Sequence, residues 1–305
     1  MAEPQVGVMT ALLTAYARVY HAMHDSPVIF DDSLANLLFS DEERFYFDKN
    51  LAESLIFLDP ERAAACPDQT TMLAAYMHIQ GAPIAVSRAR YTEDALTNAI
   101  DDGIQQYVIL GAGMDVFAFR QPELVRHLQV YEVDHPATQA IKRERIAKLG
   151  WQIPAQLYFV PMDFTKENLA DALRQLSYAS SKPTFFSWLG VTYYLTREVV
   201  FETLRAIADT AASGSSIIFD YMDADAFTPG KAARRVERMQ QIVRNIGEPM
   251  KTGLKPSELT AELAPLGLRI KEDLAPAEIE KRYFNGRTDD MHAFEHVHFA
   301  WVTVA

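Results

Sequence analysis

QQYVILGAGMD, residues 105 to 115, is the stretch that decides the fold. Tyr107 to Leu110 are apolar, aromatic or β-branched and run straight into Gly111-Ala112-Gly113. This reads as a buried strand ending where the backbone must turn sharply and come close to a ligand. A dinucleotide-binding G-x-G-x-x-G needs glycine at position 116, where Val116 stands, and there is no G-x-x-x-x-G-K-[ST] for a nucleoside triphosphate. A cofactor without a pyrophosphate suits the loop better. A lone G-x-G also fits an ordinary tight strand-to-helix turn, so the neighbouring strands carry the argument further. VYEVD, 130 to 134, ends in the Asp134 carboxylate, about 20 residues after the loop, the spacing at which an acid reaches ribose hydroxyls. A third run ends in MDF, 162 to 164, where the Asp163 carboxylate and the Phe164 backbone N–H can read an adenine edge. Gly111, Ala112, Gly113, Asp134, Asp163 and Phe164 are thus the candidates for an adenosine-type cofactor.

Outward from this core, short apolar runs alternate with helical stretches, the pattern of a mostly parallel sheet with crossover helices. The strands are QYVILG, QVYEVD, QLYFVPMD, PTFFSWLG and SSIIFDYM, with helices near Ala137 to Leu149, Lys166 to Leu176 and Arg197 to Ala212. RIKEDL and HFAWVTVA read as a closing pair, the second inserted antiparallel at the sheet edge. Upstream, from Thr10 to about Ile100, apolar residues recur at helical spacing and are interrupted by Pro27, Pro60 and Pro67. Thr92, followed by Glu93 and Asp94, is expected to start a helix that Gly103 stops. The expectation is one α/β domain over 1–305: a helical cap (1–87), a cofactor-binding core (88–222), a helical lid insertion (223–256) and closing strands (257–305).

The 305 residues carry a formal charge of −12, with 41 acidic and 29 basic side chains. That balance repels phosphate backbones, so no nucleic-acid partner is expected. There is no apolar run of bilayer-crossing length and no charged n-region with an apolar h-region at Met1. No membrane association is therefore expected, and the location read from this is cytoplasmic. Cys66 is the single cysteine, which excludes an intramolecular disulfide and any multi-cysteine metal site. HAFEH, 292 to 296, matches H-x-x-E-H, but that motif needs a helix and the following residues alternate like a strand, so no metal is expected.

RARYTEDAL (88–96), YVILGAGMDVFAFR (107–120), YEVDHP (131–136), VPMDF (160–164) and WLGVTYYLT (188–196) together resemble the leucine carboxyl methyltransferase-like family, in its bacterial small-molecule O-methyltransferase branch. The resemblance covers nearly the whole chain. It implies a Rossmann-like class I methyltransferase sheet and S-adenosylmethionine as cofactor. By resemblance Arg88 holds the methionine carboxylate, with Arg90 in reserve. Gly111 and its neighbours pass beneath the methionine part, Asp134 accepts from the ribose, and Asp163 with Phe164 holds the adenine. Glu132 stands behind them. Leu189-Gly190 occupies the end of the fourth strand, where many relatives have Glu-Gly, which removes a direct acidic contact.

Methyl transfer from a sulfonium is an in-line displacement, so alignment and exclusion of water are the protein's main tasks. No residue is identified as a necessary base. The expected acceptor is a carboxylate or hydroxyl of a small organic molecule, held between cap and insertion. Tyr193, Tyr194, Tyr221 and Met222 are the candidate acceptor contacts, each of which fits core packing equally well. Arg234 and Arg235 are placed at the pocket mouth. Methylation of a protein C-terminal carboxylate, and cofactor binding without transfer, are the alternatives. Oligomeric state is left open by these residues.

Overall fold

The computed structural model describes residues 7–305. Four cap helices come first, α1 (Val8–His24), α2 (Asp41–Leu58), α3 (Pro60–Ala65) and α4 (Gln69–Tyr76), and a π-turn then leads into α5 (Ala82–Asp101). Their starts are written locally: Ser40 and Glu43 form a reciprocal capping box on α2, Asp59 caps α3 ahead of Pro60, and Asp68 accepts the Thr71 N–H at 2.8 Å on α4. Thr92 does not begin a helix. It lies buried in the middle of α5, which starts at Ala82 with Pro83 in its first turn. Continuous packing of Val86, Tyr91, Leu96 and Ala99 into the core overrides the local start signal at Thr92. Gly103 does follow the helix end, with φ of +98°.

Seven strands build one sheet: β1 (Gln106–Leu110), β2 (Gln129–Asp134), β3 (Leu157–Pro161), β4 (Thr184–Trp188), β5 (Ser216–Met222), β6 (Leu268–Leu274) and β7 (Val297–Val304). Their spatial order is β3-β2-β1-β4-β5-β7-β6, with β1 to β5 parallel and β7 antiparallel to both its neighbours. The antiparallel insertion is therefore present, but β7 is not the edge strand. It lies between β5 and β6, and most of its residues are buried, whereas β6 carries four charged residues, Arg269 and Lys271 to Asp273, as suits an edge strand. The crossovers are α6 (Phe117–Arg120), α7 (Pro122–Val125), α8 (Pro136–Lys148), α9 (Leu169–Arg174) and α10 (Arg197–Thr210). The segment after β5 carries α11 (Arg234–Asn245), and α12 (Pro256–Leu263) and α13 (Pro276–Ile279) flank β6.

Two cores sandwich the sheet. Tyr107, Ile109 and Phe185 pack with α5 on one face, while Val108, Leu110 and Phe186 pack with Leu204 and Ile207 of α10 on the other. A third core joins α1, α2 and α4 in the cap. The chain reverses direction of winding between β1 and β4, the switch point where open α/β sheets bind ligands at their strand carboxyl ends. Among the described residues no helix is long and apolar enough to cross a membrane.

Candidate active site

At that switch point lies a cavity of about 350 Å³, bounded by the ends of β1 to β4, by α1 and α5, and by Gly247 to Lys251 of the insertion. Its floor is the glycine loop. Gly111 and Gly113 have φ of +71° and +52°, and a Cβ on Gly111 would lie 2.4 Å from Val191 Cγ2, so that position tolerates no side chain. Asp134 at the end of β2 faces the same cavity and also pins the loop: it accepts the Gly113 N–H through Oδ2, and the His135 N–H through Oδ1 at 2.6 Å. Burial pushes its pKa up against the pull of those two N–H groups. Asp163 lines the cavity just beyond β3, where Lys166, 2.8 Å away, and Thr165 hold its carboxyl down at about 2. Phe164 lies beside it, its ring centroid 6.1 Å from that of Trp188.

Arg88 enters from α5 and is held by a strand that its own sequence neighbourhood does not reveal. Its Nη1 donates to Asp220 Oδ2 at 2.8 Å and to the Tyr193 hydroxyl at 2.9 Å. Asp220, fully buried in β5, also accepts the Gly190 N–H at 2.6 Å. Burial works to lower the Arg88 pKa, but Asp220 and Tyr193 outweigh it and keep the guanidinium charged. A Cβ on Gly190 would sit 2.5 Å from Arg88 Nη2, so this glycine makes the space that the arginine fills. A carboxylate thus stands behind Leu189-Gly190 after all, supplied by β5 rather than by the end of β4. Arg90 points elsewhere: it pairs with Asp94 at 2.8 Å and lines a separate cleft near Arg282 and Trp301.

A group of charges on the cavity wall went unread in the sequence. Arg18 Nε donates to Asp32 at 2.8 Å, and Arg120 grips Glu93 while its Nε lies 3.4 Å from Asp32 and its guanidinium covers Phe30. Asp115 faces the same space. Burial raises the pKa of both Asp32 and Glu93 against the pull of these arginines. Glu248 of the insertion accepts the Gly7 N–H at 2.7 Å and the Thr10 hydroxyl, which ties the insertion to the start of α1 across the cavity. Glu132 does not reach the cavity. It is buried behind the loop with Lys142, and burial pushes it up to about 7.

Of the four residues expected against an acceptor, only Tyr194 lines the cavity. Tyr193 lies beneath it, bound to Arg88. Tyr221 and Met222 lie away from it: strand alternation sends Tyr221 to the face opposite Asp220, where its hydroxyl donates to Asp273 at 2.8 Å and its ring stacks on His298, and Met222 is buried in the core under α5. Arg235 is a strut rather than a mouth residue, donating to Glu295 at 2.8 Å and lying over Phe294, and Arg234 does not line the cavity. Residues 292 to 296 form no helix, and His292 bonds Glu280 while His296 accepts the Ala233 N–H.

The family model described as leucine carboxyl methyltransferase matches residues 11–208. A protein of Bacillus subtilis strain 168, described as the S-adenosyl-L-methionine-dependent methyltransferase YktD, is 41% identical over 292 residues, covering 95% of this chain and 96% of its own. A similarly described protein of Mycolicibacterium paratuberculosis is 31% identical over 215 residues, 70% of this chain and 65% of its own. Among solved structures, a DUF574 family protein from Streptomyces avermitilis shares the fold, with a TM-score of 0.58, 14% identity and coverage of 96% and 97% of the two chains. The chain belongs to the leucine carboxyl methyltransferase family of S-adenosylmethionine-dependent methyltransferases.

Proposed function

We propose that this methyltransferase acts on a carboxylate or hydroxyl oxygen of a small organic molecule, and that the cavity at the β1 to β4 ends holds both cofactor and acceptor. The observation that carries this reading is the cavity itself: about 350 Å³, within the ~300–1,000 Å³ range of small-molecule sites, and bridged overhead by Glu248 on Gly7 and Thr10. The residues present fit the cofactor. All hydrogen bonds of Arg88 among the described residues use Nη1, which leaves Nε and Nη2 for the planar methionine carboxylate. Gly111 to Gly113 give a loop without side-chain obstruction, Asp134 offers its remaining lone pairs to ribose hydroxyls, and Asp163 with Phe164 flanks the adenine.

When bound, S-adenosylmethionine supplies an electrophilic methyl on a sulfonium. The chain's own residues position and dehydrate. Asp220 fixes Arg88, Asp134 fixes the loop, and the Glu248 clamp closes the insertion over α1. A carboxylate acceptor is already ionised at neutral pH and needs no base. Tyr194 presents the aromatic surface for a flat acceptor. The net charge of −12 speaks against a nucleic-acid acceptor.

Incubation of the enzyme with methyl-labelled cofactor and cell extract, followed by separation of metabolites from macromolecules, tests this reading. Label is expected in a small molecule. Label in one protein band alone supports the family's namesake chemistry on a protein carboxylate and overturns the small-molecule assignment. Cofactor binding with no label transferred to either fraction supports a binding role.

A further inference from the structure

Helix α2 is apolar on two sides. Phe47, Leu51, Leu55 and Leu58 are buried inward, whereas Phe45, Tyr46, Ile56 and Phe57 face out, Phe45 being 71% and Phe57 84% exposed. A surface helix ordinarily presents a polar outer face, and a cluster of exposed apolar side chains marks an interaction surface.

The order of residues along this face specifies the occupant. Read from the start of the helix, the outer face runs Glu42, then Phe45 and Tyr46, then Lys49 and Asn50, then Glu53, then Ile56 and Phe57. Leu51 is the midpoint of the run from Phe45 to Phe57: positions 45 and 57, 46 and 56, and 49 and 53 are equidistant from it. Over that run the face is therefore self-complementary, apolar at both ends with a cation and an anion between. An isologous two-fold contact needs such a surface, since each patch must meet its own copy. We propose that α2 pairs antiparallel with α2 of a second copy of this chain, about a two-fold axis crossing the helix at Leu51. The aromatics at one end then cover Ile56 and Phe57 of the second copy, and Lys49 meets Glu53 twice. The 18 residues of α2 span about 27 Å, with the two apolar ends about 18 Å apart.

The charges agree with this partner. Lys49 and Glu53 stand one turn apart in the less favourable order for pairing within a helix. Among the described residues neither takes an ion pair, nor do Glu42 and Asp48 of the same helix, whereas Asp41, Glu43 and Asp59 do. No residue of α2 lines the cavity, so the contact is separate from the methyl-transfer site.

Sedimentation over a protein concentration series tests the pairing, with circular dichroism and S-adenosylhomocysteine affinity as controls of fold and site. The wild-type chain is expected to show a monomer–dimer equilibrium. Glu53→Lys places like charges opposite each other twice and should give monomer, as should Phe57→Asp. Lys49→Glu/Glu53→Lys exchanges the charges and should restore the dimer. A wild-type chain that stays monomeric throughout, a dimer indifferent to Glu53→Lys and Phe57→Asp, or a double exchange that fails to restore association overturns the proposal. So does loss of a different, heterologous partner from this face without any self-association.

Discussion

Removal of the Asp220 carboxylate tests the architecture of the site most directly, because this residue touches the cavity only through others. In the fold it accepts from Arg88 at 2.8 Å and from Gly190 at 2.6 Å, and it is itself fully buried. Breaking a buried ion pair by deleting one partner costs about 3–5 kcal/mol, because the other charge is left without compensation. Asp220→Ala is therefore expected to lower the unfolding free energy by about that amount, read as a lower denaturant midpoint at unchanged m. The loss should depend on Arg88 being present. In the Arg88→Met background the same Asp220→Ala change should cost less by at least ~1 kcal/mol, a coupling typical of residues in one network. With Arg88 released, S-adenosylhomocysteine affinity measured by calorimetry should also fall, although Asp220 does not line the cavity. If Asp220→Ala unfolds within about 0.5 kcal/mol of wild type, the range of ordinary surface changes, or if the double-mutant cycle is additive, the reasoning about this pair is wrong.

Asp134→Ala should weaken cofactor binding by far more than Glu132→Ala, since Asp134 both faces the cavity and restrains Gly113; equal losses by calorimetry would put the strand register in error. Gly111→Ala combines a positive φ with a 2.4 Å approach to Val191, so it should destabilise by more than about 1 kcal/mol. Gly103→Ala, also at positive φ but with nothing within 4 Å, should be milder in the same denaturant titration. Glu132 has its folded pKa raised from about 4.5 to about 7, so its stabilising contribution is present below the unfolded value and is lost as pH rises through the folded one. Replacing the pair with Glu132→Gln/Lys142→Met should remove that slope between about pH 4.5 and 7, and an unchanged slope would reject the assignment.

Much of the sheet was legible because a parallel strand buried on both faces has few other ways to be written: QYVIL, TFFSW and SIIFDYM announce themselves by composition. The glycine loop and Asp134 were legible for a related reason, since they sit at strand ends where chain order fixes location. What escaped was set by contacts between distant segments. Arg18, Asp32, Glu93 and Arg120 come from α1, the loop after it, α5 and α6, and nothing in their local sequence brings them to one wall. Asp220 looked like one more strand residue, and Tyr221 like a pocket residue, because the parity of β5 relative to the cavity is decided only by pairing. Thr92 shows the converse: a sound local helix start lost to the packing of a longer helix.

The position of β7 bears on how the chain is made. β6 leaves the ribosome before β7, yet it can join the sheet only through β7, which lies between it and β5. Until residues 297–304 emerge, the nascent protein carries an unpaired β5 edge and a stranded β6, the kind of open edge that recruits other chains. Synthesis that stalls between β6 and β7 should consequently yield aggregating product, while a chaperone shielding that one edge until β7 emerges should suffice to rescue it.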